Sequence, residues 1–134
     1  IAHYNNFMKN ITTLIQEAIA LLKSLIQTPS FSSEEEQTAL LIENWFTQNN
    51  IPFERENNNV WAYNLHFDEA KPTLLLNSHH DTVRPNQGYT NDPFEAKVED
   101  GKLFGLGSND AGGCLVSLIA TFTHFYAKLV SHLV

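Results

Sequence analysis

Three features of the chain predict an α/β fold. Apolar residues recur at helical spacing as far as Phe46, and the pattern shifts to alternation after Ile51. Beyond that, a strand–loop–helix passage places glycines just ahead of a long apolar stretch. Residues 1–9 read as a polar lead-in. From Asn10 to Gln27, Leu14, Ile15, Ala18, Leu22, Leu25 and Ile26 form one apolar stripe, and Pro29 ends the helix because it has no amide hydrogen to donate. A second helix is predicted to open at Ser32 or Ser33, where Ser33 and Glu36 make a capping-box pair and Glu34 and Glu35 suit the positive helix end. It runs through Leu40, Leu41, Trp45 and Phe46 to a left-handed stop at Asn49-Asn50.

Ile51 to Glu56 reads as a short strand and Val60 to Phe67 as an alternating one. The unbroken apolar run from Thr73 to Asn77 has the character of a strand covered on both faces. After a polar loop from Thr82 to Pro93, Glu95–Val98 and Lys102–Phe104 flank Asp100-Gly101 as a hairpin. A helix from Ala111 to Val130 is predicted to be mostly buried, with Leu115, Leu118, Ile119, Phe122, Phe125 and Leu129 marking its apolar surface.

Bulk properties narrow the function. The 134 residues fit one domain, and the net charge of −7, with only eight Lys and Arg, argues against a nucleic-acid partner. A single cysteine excludes an intrachain disulfide, and no apolar stretch is long enough to span a bilayer. A cytoplasmic protein without a membrane partner is the expectation.

The chemistry concentrates in Leu74-Leu75-Leu76-Asn77-Ser78-His79-His80-Asp81-Thr82-Val83 and in Asp110. His79 falls where the apolar run ends. Asp81, two residues on, could hold one ring nitrogen while the other faces a metal; the competing reading is a solvated surface turn. Asp110 follows Gly105-Leu106-Gly107-Ser108-Asn109 and precedes Gly112-Gly113 by one residue. It is either a helix N-cap or a carboxylate able to bridge metal ions. His80 is read as packing rather than ligating, Cys114 as a buried thiol, and His3, His66, His124 and His132 as structural or solvated. Asp92-Pro93-Phe94 reads as a loop anchor. A dinucleotide-binding loop fails on spacing, since the third glycine after Gly105 and Gly107 would fall on Asp110.

Taken in order, Ser78-His79-His80-Asp81-Thr82-Val83, Asp92-Pro93-Phe94, Asp100-Gly101-Lys102-Leu103-Phe104-Gly105-Leu106-Gly107-Ser108-Asn109-Asp110 and Gly112-Gly113 resemble the zinc-dependent family of acetylornithine deacetylase, succinyl-diaminopimelate desuccinylase, aminoacylase and carboxypeptidase G. The Asp-Thr-Val, Asp-Pro-Phe and Gly-Leu-Gly stretches look most like acetylornithine deacetylase, an enzyme of arginine biosynthesis. The resemblance implies a three-layer zinc-peptidase-like catalytic domain, with residues 1–134 as its N-terminal segment: two helices, mixed-sheet strands, a hairpin and a buried helix. The inserted dimerisation domain and the C-terminal half would lie outside the chain.

It further implies two zinc ions, replaceable by cobalt, with His79 and Asp110 as metal ligands and Asp81 as the catalytic residue orienting His79. A cis peptide after Asp110 would be in keeping with the family. The substrate would be a small N-acyl amino acid, hydrolysed at its amide bond, and the full-length protein would be a homodimer. Substrate-binding residues are not legible. The sequence departs from the family at Ala111-Gly112, where relatives often have Met-Lys, and it lacks the glutamate pair expected downstream. An inactive truncated fragment is therefore the alternative, alongside a desuccinylase, aminoacylase or dipeptidase of the same family.

Overall fold

The computed structural model describes residues 9–128. Its order is α1 (Ile11–Gln27), α2 (Glu36–Gln48), β1 (Glu54–Glu56), β2 (Asn59–Trp61), β3 (Lys97–Glu99), β4 (Lys102–Phe104), an irregular turn over Ser108–Gly112, and α3 (Gly113–Phe125). This is a small α/β arrangement. The three helices supply most of the core. Leu14, Ala18, Leu22, Leu25 and Ile26 of α1 meet Leu115, Val116 and Ile119 of α3, and Ile42, Trp45 and Phe46 of α2 close the cluster. The Trp45 indole also donates to the Thr123 hydroxyl at 2.9 Å, tying α2 to α3. Ile15 and Leu40, expected on the apolar stripes, are exposed, and Leu21 is buried instead.

α1 begins at Ile11, within one residue of the expected start, and the Asn10 side chain caps it by accepting the Thr12 amide proton at 2.9 Å. α2 does not: it starts at Glu36, and the predicted capping box is absent. The Ser33 amide, which Glu36 would accept from in that box, is engaged elsewhere. Ser33 has a left-handed backbone (φ 72°), its amide donates to Glu35 Oε1 at 2.6 Å, and Glu35 Oε2 accepts from Asn58 at 2.7 Å. The left-handed stop at Asn50 (φ 54°) is present.

The strands are fewer and shorter than expected. β1 and β2 form one antiparallel pair, and β3 and β4 another, with no mixed sheet among the described residues. The β3–β4 hairpin turns on left-handed Asp100 and Gly101, as its sequence predicts. The predicted strand Val60–Phe67 ends at Trp61. Beyond it the Leu65 amide donates to the Tyr126 carbonyl, and the Asn64 side-chain amide donates to the Phe125 carbonyl. These donors satisfy carbonyls that the end of α3 leaves open, and the Leu65 amide is thereby taken from any strand ladder.

The run Thr73–Asn77 forms neither a strand nor part of the core. Leu74 and Leu75 are 68% and 79% exposed. A strand covered on both faces needs hydrogen-bonding neighbours, and among the described residues none flanks this run. α3 ends at Phe125, short of the predicted Val130. Positions 129–130, the lead-in residues 1–8, His3 and His132 lie outside the described residues. α3 carries an exposed stripe of Cys114, Ser117, Thr121 and Phe125, so its burial is one-sided. No helix among the described residues is long and apolar enough to cross a membrane.

Candidate metal centre

With no sheet beneath it among the described residues, the His79–Asp81 segment is held by the loop between α1 and α2. The Thr82 amide donates to the Ser30 carbonyl at 2.7 Å, the Ser30 hydroxyl donates to the His80 carbonyl at 2.8 Å, and Phe31 pairs with Thr82 as an isolated parallel bridge. The loop that delivers Asp110 lies against the same segment. Gly107 has φ 73°, and a Cβ there would stand 2.7 Å from Thr82 Cγ2, so only glycine permits both the turn and the close approach. Asp110 itself has φ −124° and ψ 96°, outside the helical region, and caps no helix. The peptide from Asp110 to Ala111 is cis.

These two loops bring the three singled-out residues together. His79 Nδ1 lies 2.9 Å from Asp81 Oδ1, and its Nε2 lies 3.1 Å from Asp110 Oδ1. One imidazole thus sits between two carboxylates that are remote in sequence from one another. The His79 ring is half exposed, and the Asp110 side chain is 88% exposed, so the cluster faces solvent. It lines an open cleft of about 320 Å³ whose walls include Val83, Tyr89 and Gly107.

Charge follows geometry. Partial burial works against protonation of His79, but hydrogen bonds to Asp110 and Asp81 outweigh it and hold its pKa above the ordinary value. The Ser32 hydroxyl lowers the pKa of Asp81, burial opposes that, and His79 adds to the lowering. Ser32 is a partner that the sequence reading missed. It donates to Asp81 Oδ2 at 2.6 Å, and nothing in the sequence flags it, because a serine after a helix-ending proline looks like a cap.

His80 is placed as a packing residue. Its Nε2 donates to the Asn58 carbonyl at 2.9 Å, and its Nδ1 lies 2.8 Å from the Thr38 hydroxyl, so neither nitrogen is left for a metal. Cys114 is exposed, against the expectation of a buried thiol. That expectation rested on how commonly cysteine is buried. Cys114 instead lies on the outward stripe of α3 with Ser117, Thr121 and Phe125, away from the buried Leu115, Val116 and Ile119. Asp92-Pro93-Phe94 anchors its loop: Asp92 Oδ1 accepts from the Phe94 amide at 2.9 Å, and Phe94 packs edge-on to Phe31. His66 bonds the Ala127 carbonyl and His124 contacts Lys128, both away from the cluster.

The donors at the cleft suit a divalent cation such as zinc, which takes imidazole nitrogen and carboxylate oxygen. Two tetrahedral ligands at about 2.0–2.1 Å from zinc stand about 3.3 Å apart. The observed 3.1 Å between His79 Nε2 and Asp110 Oδ1 is close to that. The set is small: among the described residues, no group of three or more His, Cys, Asp or Glu side chains surrounds a common point as metal ligands.

An imidazole backed by one carboxylate and meeting a second at the rim of an open cleft is an arrangement compatible with metal binding. The sequence profile of peptidase family M20/M25/M40 matches residues 75–133, the stretch that contains His79, Asp81 and Asp110. A succinyl-diaminopimelate desuccinylase of Blochmanniella floridana is 28% identical over 126 residues, covering 89% of this chain and 33% of that protein. Over residues 75–133 the chain is therefore similar to the M20/M25/M40 peptidase family, and it spans about a third of the length of the curated relative it matches. These matches do not favour acetylornithine deacetylase, or arginine biosynthesis, over other members.

Proposed function

We propose that this chain contributes the N-terminal part of a metal-dependent amidohydrolase site that cleaves the acyl–amide bond of an N-acylated amino acid. One observation supports the reading above the others: His79 and Asp110, 31 positions apart, meet at 3.1 Å on the rim of an open cleft. In this reading His79 Nε2 and the Asp110 carboxylate hold zinc or cobalt, and Asp110 has a second oxygen free to bridge to another ion. Asp81 fixes the opposite ring nitrogen, which keeps Nε2 aimed into the cleft. Zinc, when bound, acidifies a coordinated water and polarises the scissile carbonyl. Val83 and Tyr89 offer an apolar wall to the acyl chain.

Acetyl and succinyl groups both remain substrates of this proposal. The similarity to a desuccinylase supports the dicarboxylic acyl group, and the motif resemblance to acetylornithine deacetylase supports the shorter one. We also propose a cytoplasmic setting and a homodimeric full-length protein, on the lone cysteine and on the family resemblance respectively. A second reading concerns the 134 residues by themselves. Two ligands are fewer than the three plus water of a catalytic zinc site, which favours metal binding without turnover by this chain alone.

The test is amine release from N-succinyl and N-acetyl amino acids with added zinc or cobalt, by this chain and by a full-length protein that contains it. Hydrolysis by the full-length protein that is abolished by His79→Ala supports the proposal. Hydrolysis indifferent to that substitution and to chelation overturns it. Turnover by the 134 residues at the full-length rate overturns the second reading.

A further inference from the structure

We infer that Ser32 is a positioning residue of this site, acting through Asp81 on His79. The inference rests on the reading of His79 as metal-facing and adds a member to its supporting chain. Ser32 lies 49 positions from Asp81, yet its hydroxyl donates to Asp81 Oδ2 at 2.6 Å, within the short range of a hydroxyl bonded to a charged carboxylate. The other oxygen, Oδ1, accepts from His79 Nδ1 at 2.9 Å. Each carboxylate oxygen therefore has one assigned partner, and the pair of bonds fixes the Asp81 torsion, which is otherwise broad and two-fold. Asp81 is 37% exposed, so packing alone does not hold it.

The neighbouring residues separate this role from simple loop support. The backbone of residues 80–82 is held by Ser30, through its carbonyl to the Thr82 amide and through its hydroxyl to the His80 carbonyl. Ser30 is 2% exposed and belongs to the interior. Between the two serines, Phe31 packs against Phe94 and lies under the Arg84 guanidinium at 4.4 Å. Ser30 and Phe31 thus secure the main chain, and the Ser32 hydroxyl has one remaining task, the Asp81 carboxylate. Removing it leaves the loop in place and frees the carboxylate to turn away from the ring, so that His79 loses its fixed orientation toward Asp110.

The experiment is zinc titration by calorimetry of the 134-residue chain and its Ser32→Ala, Ser32→Thr, Asp81→Ala and Ser32→Ala/Asp81→Ala variants, with thermal midpoints recorded in parallel. Loss of an outer hydrogen-bond partner weakens metal affinity about 10- to 100-fold. The expected result is about a tenfold loss for Ser32→Ala, recovery in Ser32→Thr, and no added loss when Asp81 is already alanine, with thermal midpoints little changed. Unaltered affinity in Ser32→Ala, or an equal loss in the Asp81→Ala background, overturns the inference. Should the parent chain bind no zinc, the metal reading fails by itself. Ser32 is then judged in the metal-free chain by the hydrogen-bonded Nδ1 proton of His79 in NMR spectra. A signal that is sharp in the parent and lost in Ser32→Ala supports the positioning role, and identical signals refute it.

Discussion

Replacing Thr38 by valine removes a hydroxyl and keeps the outline of the side chain. Thr38 is fully buried, and its Oγ1 lies 2.8 Å from His80 Nδ1 and 3.0 Å from the Glu35 carbonyl. The Asn58 carbonyl can only accept, so His80 Nε2 carries a proton toward it, and Nδ1 is left to compete with the Glu35 carbonyl, which also accepts from the Ala39 amide, for the one Thr38 hydroxyl proton. Valine strands Nδ1 in a half-buried position facing methyl groups. An unsatisfied polar atom of this kind costs about 1–3 kcal/mol; taking about 2 kcal/mol, and about 4 °C per kcal/mol for a chain of this length, the thermal midpoint should fall by about 8 °C. Thr38→Ser, which restores the hydroxyl, should recover most of that. Thermal unfolding followed by circular dichroism measures both. A Thr38→Val midpoint within about 2 °C of the parent would refute the argument that His80 is a hydrogen-bonded packing residue.

Other consequences can be checked with modest effort. Gly112→Ala would put a Cβ 2.6 Å from Leu22 Cδ1 and 2.7 Å from the Gly107 carbonyl oxygen, so urea unfolding should show clear destabilisation, whereas a neutral result would mean the Asp110 turn is looser than described. Glu35 is slightly buried, which raises its pKa, but the Ser33 amide, its own backbone and Asn58 together pull it below the ordinary value. Its stabilisation is therefore present above the unfolded pKa and lost as pH falls through the lower folded one. Urea midpoints measured between about pH 6 and pH 3 should show Glu35→Gln removing part of the parent's acid-side decline. An identical decline in both proteins contradicts this. Cys114 is exposed and should react fully with a thiol reagent in the native state; labelling only after denaturation would restore the buried reading.

Local signals in the sequence were reliable wherever the structure is made locally. The helix start near Asn10, most of the apolar stripe from Leu14 to Ile26, the Asn50 stop and the Asp100-Gly101 hairpin depend on local spacing along the chain. All four are present. The readings that failed depended on partners distant in the chain. Ser33 and Glu36 satisfy the capping pattern, yet the Ser33 amide is taken by Glu35, which also accepts from the distant Asn58, and the box is absent. The apolar run at Leu74–Leu76 signals burial but says nothing about which strands would bury it, and none among the described residues does. At the site, the residue types of His79, Asp81 and Asp110 were legible. Their approach depends on Gly107 fitting against Thr82 and on Ser30 bonding the His80 and Thr82 backbone, contacts that no spacing rule reveals.

The proposal that His79 and Asp110 form one cation-binding pair is tested most directly by adding cobalt to the isotopically labelled chain and following paramagnetic broadening by NMR. The account predicts that the His79 ring and the Asp110 side chain broaden first, that nearby Ser108 and Tyr89 follow, and that His79→Ala removes the effect. Broadening centred on His66 or His124 instead, or a pattern untouched by His79→Ala, would contradict it.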